Sequence, residues 1–325
     1  MSKLFIIGNG FDVAHGYKTK YCYFRYWCKE KLKDAGWSLD EVPNIPFSSI
    51  ANHGEEIFDE RDLIKLLMWL LSTESTFRDD PEWNQFEEYL HDIDLQSVMD
   101  ENTQFVYADL ENDPHDNELS NEQQDMEMYA DALRSAILQI NAIFSRWVEQ
   151  IRITDKKISF GEEIICNAGC GVDKTDLFLN FNYTETLEKA YGVPKNQICH
   201  IHGSRTAGDN LIIGHGDDSG RNFNDRFFTV ADILDDAIRS LRKDTNTIIN
   251  KNKDFWKKIS NANITEVYSF GFGYGDVDMD YISTIIRVIP ESATWYLNTY
   301  SGVENLGYEK KIRSAGFKGC FGRYE

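Results

Sequence analysis

The sequence has no run of about 18 or more apolar residues, the length a helix needs to cross a bilayer, and Lys3 leads directly into a strand rather than into a secretory leader. A membrane partner is not expected, and the expected location is the cytoplasm. Six cysteines (Cys22, Cys28, Cys166, Cys170, Cys199, Cys320) show no disulfide framework, and Cys166 and Cys170 lack the second pair that a zinc ribbon requires. Reduced thiols and no metal site are expected. Positive charge is scarce, with 34 Lys and Arg against 54 Asp and Glu, a formal charge of −20. No basic patch offsets it locally, so nucleic acid is not an expected partner and any anionic ligand must be held by a local site. Neither an internal repeat nor a low-complexity tract is present. With 42% hydrophobic residues over 325 positions, the chain can build one large core or two ordinary ones.

What is there begins almost at once. Lys3-Leu4-Phe5-Ile6-Ile7 is an apolar strand that runs into Gly8-Asn9-Gly10-Phe11-Asp12. Glycines after a buried strand let backbone N–H groups approach a ligand, and a following helix aims its positive end at a phosphate. Val13 stands where the dinucleotide fingerprint has a glycine, so an ordinary strand-to-loop turn is the alternative. An amphipathic helix is expected over Lys20–Asp34, ending near Gly36. Residues 38–150 read as helical: Glu55–Thr73, Pro81–Asp92 and Asn121–Ile151, the last with a stripe of Met128, Leu133, Ile137, Ile140, Phe144 and Trp147 or Val148. Asp109–Glu122 reads as a polar loop.

From about Lys174 short strands alternate with helices: Leu177–Phe181, Gln197–Ile201, Leu211–Ile213, Thr265–Phe270 and Thr294–Asn298, with helices over Thr184–Ala190, Asp225–Arg242 and Asn246–Ser260. That alternation implies an α/β fold, a mostly parallel Rossmann-like sheet with helices on both faces. The first strand needs those partners, so residues 1–36 and 155–325 are expected to form one nucleotide-binding domain, interrupted by a large all-helical insertion over 37–154.

In such sheets ligands sit beyond the carboxyl ends of the strands. Four ends are unusual here: the opening turn followed by His15-Gly16; Asn180-Phe181-Asn182-Tyr183-Thr184; His200-Ile201-His202-Gly203; and Gly271-Phe272-Gly273-Tyr274-Gly275-Asp276-Val277-Asp278. Asn182, Thr184 and Asp278 are also good caps, and Lys18 and Lys20 also suit a solvated surface. Gly203 beside His202 lets a ligand approach an imidazole near its working pKa.

This ordered set resembles the AbiH family of phage abortive-infection proteins over nearly the whole chain, with Trp83–Leu90 and its Glu87 similar to that family's Trp–Phe–Glu segment. The family is more distantly similar to sirtuin-like NAD-binding domains. That resemblance implies NAD or a related nucleotide as substrate or ligand, and hydrolysis at the nicotinamide–ribose bond in anti-phage defence. It implies Asn182 and His202 as catalytic residues. Gly8, Asn9, Gly10, Phe11, Asp12, His15, Thr184, Gly203, Gly271 and Asp278 are then the nucleotide-binding set. Thr184 replaces a usual aspartate, the sirtuin zinc cysteines are missing, and Phe272 replaces a usual histidine. The missing zinc cysteines argue against an acetyl-peptide deacetylase, and the Thr184 and Phe272 departures favour the alternative of a non-catalytic nucleotide sensor or interaction module. A nuclease using Asp276, Asp278 and Asp280 with a divalent metal is the third reading. A hydrolase of this kind needs restraint, so the insertion is expected to gate the site or mediate a homo-oligomer, with a phage-derived trigger as a further partner.

Overall fold

The computed structural model describes residues 2–34, 36–50, 56–73, 85–104, 118–208, 210–299 and 304–325. Trp83, the start of the Pro81–Asp92 helix and most of the Asp109–Glu122 loop lie outside them. The chain divides into two compact units, one of Met1–Thr19, Val148–Ile212 and Asp244–Glu325, the other of Lys20–Trp147 and Ile213–Lys243.

The first unit is built on a six-stranded parallel sheet. Its strands are β1 (Ser2–Ile7), β2 (Leu177–Asn180), β3 (Ile198–His200), β4 (Ile264–Phe270), β5 (Thr294–Asn298) and β6 (Cys320–Tyr324). Their spatial order is 3-2-1-4-5-6, that of doubly wound dinucleotide-binding sheets. Central β1 shows why both faces are covered. Successive side chains point to opposite faces; Leu4 and Ile6 join a core with Ile248, Trp256, Ile282 and Ile285, while Phe5 and Ile7 join another with Phe11, Phe160, Leu187 and Tyr191. Helices therefore pack on each side, and the fold is Rossmann-like.

Two expectations about this sheet differ from the structure. Leu211 and Ile213 are buried, but 211–213 forms no ladder; instead the Ile212 N–H donates to the His202 carbonyl at 2.9 Å. Short apolar runs report burial more reliably than strand pairing. β6 was not anticipated, because Cys320-Phe321-Gly322-Arg323-Tyr324 interrupts its apolar pattern with glycine and arginine.

The second unit is mainly helical, with helices including Tyr21–Leu32, Glu60–Leu70, Leu95–Asn102, Glu118–Leu138 and Ala231–Arg239. It also holds a short antiparallel hairpin, Ser49–Ile50 with Glu56–Ile57. Met126, Ala130, Leu133, Ile137, Ile140, Phe144 and Trp147 make its buried stripe. Met128, placed there by the sequence reading, is exposed, since five residues before Leu133 falls off the helical period. The boundaries also differ from 37–154. Phe24 packs edge-on against Phe86 and Phe144 and tilted against Trp147, which carries the Tyr21–Leu32 helix into this unit, and residues 213–243 belong to it as well. No described helix is long and apolar enough to cross a membrane.

Candidate functional site

The turn after β1 is closed tightly on the turn after β4. The Gly8 N–H donates to the Phe270 carbonyl at 2.9 Å, the Gly10 N–H to the Gly271 carbonyl at 3.0 Å, and the Phe11 N–H to the Gly8 carbonyl at 2.9 Å. A Cβ on Gly8 would stand 2.4 Å from the Gly271 oxygen, and one on Gly10 2.5 Å from the Gly271 Cα. Gly271 itself has φ +66°. These glycines therefore serve backbone-to-backbone packing, and three N–H groups of the turn are already engaged. Asn9 donates from its amide to the Thr19 carbonyl at 3.2 Å.

Asp12 points inward. Its carboxylate, fully buried, accepts hydrogen bonds from the Thr184 and Thr186 hydroxyls at 2.5 and 2.7 Å. Burial pushes its pKa up to about 6 against the pull of those hydroxyls. His15 is equally enclosed: Nδ1 lies 2.6 Å from the Phe11 carbonyl and Nε2 2.7 Å from the Tyr191 hydroxyl. A carbonyl only accepts, so Nδ1 carries the proton and Nε2 accepts from Tyr191. Burial lowers the pKa of His15, in keeping with a neutral ring. Phe11, also buried, lies between the rings of His15, Phe160 and Phe270.

Beyond β2, the Asn182 amide donates to the Gly8 carbonyl at 3.1 Å, and its N–H donates to Asn180 Oδ1 at 3.0 Å. Thr184 is followed by Glu185, which holds Arg205 through two 2.8 Å bonds and Lys189 at 2.6 Å. Burial opposes ionisation of Glu185, but these partners outweigh it and hold its pKa down to about 2.

Beyond β3, His202 is buried with Phe181 and Tyr281 rings against it, and its Nε2 lies 3.6 Å from Asp278 Oδ1. Gly203, at φ +86°, turns the chain immediately afterwards and donates its N–H to the His200 carbonyl. The three aspartates of the β4 turn face different partners: Asp276 pairs with Lys311 at 2.8 Å, Asp280 accepts from the Thr245 hydroxyl at 2.5 Å, and Asp278 Oδ1 lies 3.6 Å from His202 Nε2, beyond hydrogen-bond distance. Among the described residues no group of three or more His, Cys, Asp or Glu is arranged to hold a metal ion.

A cavity of about 810 Å³ opens at the carboxyl ends of β1, β4 and β5. Gly10, Val13 and Ala14 wall it after β1, and Phe270 and Gly271 after β4; Asn298 and Thr299 follow β5, with Ser159 and Phe160 opposite. Strand order reverses between β1 and β4, so this cavity lies at the topological switch point. The structure thus brings Gly10 and Gly271 to the cavity, joins Asn182 to the opening turn, and pairs His202 with Asp278. Asn182, His202 and Asp278 are not among the residues lining the cavity. Phe160, Asn298 and Thr299 were missed by the sequence reading, although Asn298 closes a strand whose limits it found.

A family model described as "Bacteriophage abortive infection AbiH" matches residues 4–299. No curated protein and no solved structure matches the chain.

Proposed function

This chain belongs to the AbiH family of bacteriophage abortive-infection proteins, and from that premise we propose that it acts against phage through NAD or a related nucleotide, bound and hydrolysed at the nicotinamide–ribose bond. The observation that carries the reading is the 810 Å³ cavity at the switch point of a 3-2-1-4-5-6 sheet, where open α/β sheets take their ligands. Its volume falls within the range of about 300–1,000 Å³ usual for small-molecule sites. Val13, Ala14, Phe160 and Phe270 give it an apolar wall suited to a planar base, and Ser159, Asn298 and Thr299 give polar groups for ribose and phosphate. Because the Gly8, Gly10 and Phe11 N–H groups are bonded within the chain, we assign the phosphates to that polar rim.

Hydrolysis breaks the bond from ribose C1′ to the pyridinium nitrogen, the electron pair leaves with neutral nicotinamide, and water adds to C1′. In this proposal the water proton goes to His202 through an intervening water, since His202 does not itself line the cavity, and Asp278 stabilises the imidazolium that results. A positioned base of this kind contributes roughly 10²–10⁴-fold in rate. Asn182 holds the Gly8 carbonyl and so positions the turn beside the cavity.

The second reading, binding without chemistry, is favoured by the enclosure of His202 among Phe181 and Tyr281. Purified protein incubated with NAD and NADP separates the two. Release of nicotinamide that falls at least 100-fold in His202→Ala supports hydrolysis. Saturable binding without release selects the sensor, and neither binding nor release from either nucleotide removes the proposal.

A further inference from the structure

Residues 151–158 run without helix or strand, and this stretch leads into Ile158, Ser159 and Phe160, which form one wall of the switch-point cavity. A segment with no ladder must find other partners for its backbone groups. Two buried tyrosines supply them. The Tyr17 hydroxyl donates to the Thr154 carbonyl at 2.8 Å and accepts from the Thr154 N–H at 3.2 Å. The Tyr191 hydroxyl accepts from the Ile158 N–H at 2.9 Å and donates to His15 Nε2 at 2.7 Å. We propose that Tyr17 and Tyr191 are positioning residues: through these bonds they hold the 154–160 segment as a wall of the cavity and so set how tightly the cavity takes its ligand.

Tyr191 is itself fixed. Its ring lies 5.8 Å from that of Phe11 and 5.7 Å from that of His15, centroid to centroid, and it fills the space beside Gly161, where a Cβ would stand 2.0 Å from a ring carbon. Burial pushes its pKa up to about 12, so the hydroxyl keeps the proton that it donates to His15. His15 directly follows Val13 and Ala14, which wall the cavity after β1, and Tyr17 lies two residues further on. The two hydroxyls therefore join the segment that carries one wall to the segment that carries the other. Phe160, at the end of the fastened segment, packs on Phe270 across the cavity lining with ring centroids 4.7 Å apart. A wall ordered before the ligand arrives spares the complex the cost of ordering it. Loss of either hydroxyl keeps the aromatic packing and releases the wall.

Tyr17→Phe and Tyr191→Phe each keep the ring and remove one hydroxyl. Ile285→Val, which trims the core on the opposite face of the sheet from Tyr191, controls for lost stability. Hydrogen–deuterium exchange of the full chain is read over residues 154–160, well below each melting temperature. It should be at least 10-fold faster in both tyrosine variants and unchanged in Ile285→Val. The effect on the ligand rests on the nucleotide reading above, so it is measured apart, by calorimetric titration with NAD. Affinity should be at least 10-fold weaker in both tyrosine variants and unchanged in Ile285→Val. Wild-type exchange over 154–160 in the folded tyrosine variants would overturn the proposal, as would wild-type affinity for NAD in them or an equal loss in Ile285→Val. No NAD binding by the wild type would remove the nucleotide reading, and the exchange result then decides alone whether the tyrosines hold the wall. If one tyrosine variant fails to fold, the other carries the test.

Discussion

The side-chain amide of Asn182 donates a 3.1 Å hydrogen bond to the carbonyl of Gly8, 174 positions earlier in the chain. That bond ties the loop after β2 to the turn after β1, and both groups are shielded from water. Removing the donor leaves a carbonyl to be desolvated without a partner, at a cost of about 1–3 kcal/mol. Asn182→Ala should lower unfolding stability by that amount in a denaturant titration. An unchanged midpoint would show that the amide does not hold the turn. The measurement also guards any activity assay, because an inactive Asn182→Ala protein with a loosened turn says nothing of direct catalysis.

The glycines of the two turns make a sharper test. Gly8→Ala and Gly10→Ala each force a Cβ to within 2.4–2.5 Å of the Gly271–Phe272 backbone, which cannot swing away as a side chain would. Each should destabilise by about 1–3 kcal/mol or more. Gly273→Ala meets nothing within 4 Å and should stay within about 0.5 kcal/mol of the wild type. Equal effects at all three positions would contradict the close packing described here.

Asp12 sets a pH dependence. Its folded pKa, about 6, lies above its ordinary value of 3.8, so the folded state binds the extra proton between those values. The stability it contributes is fully present below pH 3.8 and is lost as pH rises through 6, by about 3 kcal/mol. Asp176 is raised to about 6 by its own burial, so both groups slope the same way and a variant is needed to isolate one. Stability relative to Asp12→Asn should therefore fall across pH 4–7. A flat difference would place Asp12 in a wetter setting than the Thr184 and Thr186 contacts indicate.

Glu185 and Arg205 are nearly closed to solvent, and Arg205 also donates to the Val148 and Ile151 carbonyls at 2.9 and 2.5 Å. Glu185→Ala leaves that guanidinium without its carboxylate, which should cost about 3–5 kcal/mol. Thermal unfolding reads the loss. A cost near that of a surface pair would mean that solvent reaches Arg205.

The strands that carry the site were legible because they are short and mostly apolar: Leu177–Asn180, buried throughout, lies within one residue of the limits expected from sequence, and Thr294–Asn298, buried at alternate residues, has those limits. The same rule singled out the strand ends that carry Gly10 and Gly271, and both line the switch-point cavity. What the sequence could not disclose was partnership at a distance. His15 looks available beside a glycine, yet its ring is held by Tyr191, 176 positions away. Gly8 looks like half a cradle, yet the space where a side chain would stand is filled by Gly271. The helix Tyr21–Leu32 follows the turn directly but packs Phe24 on Phe86 and Phe144, contacts that no local pattern encodes.

The central claim is that the cavity between the ends of β1 and β4 takes a nucleotide. Ala14 lines that cavity with its side chain exposed, so Ala14→Trp fills the space without disturbing the core. Calorimetric titration of the wild type and of Ala14→Trp with NAD, each with its melting temperature recorded, is the direct measurement. Saturable binding by the wild type that weakens at least 10-fold in an equally stable Ala14→Trp is the result predicted. No binding by the wild type, or the same affinity in both proteins, would contradict it.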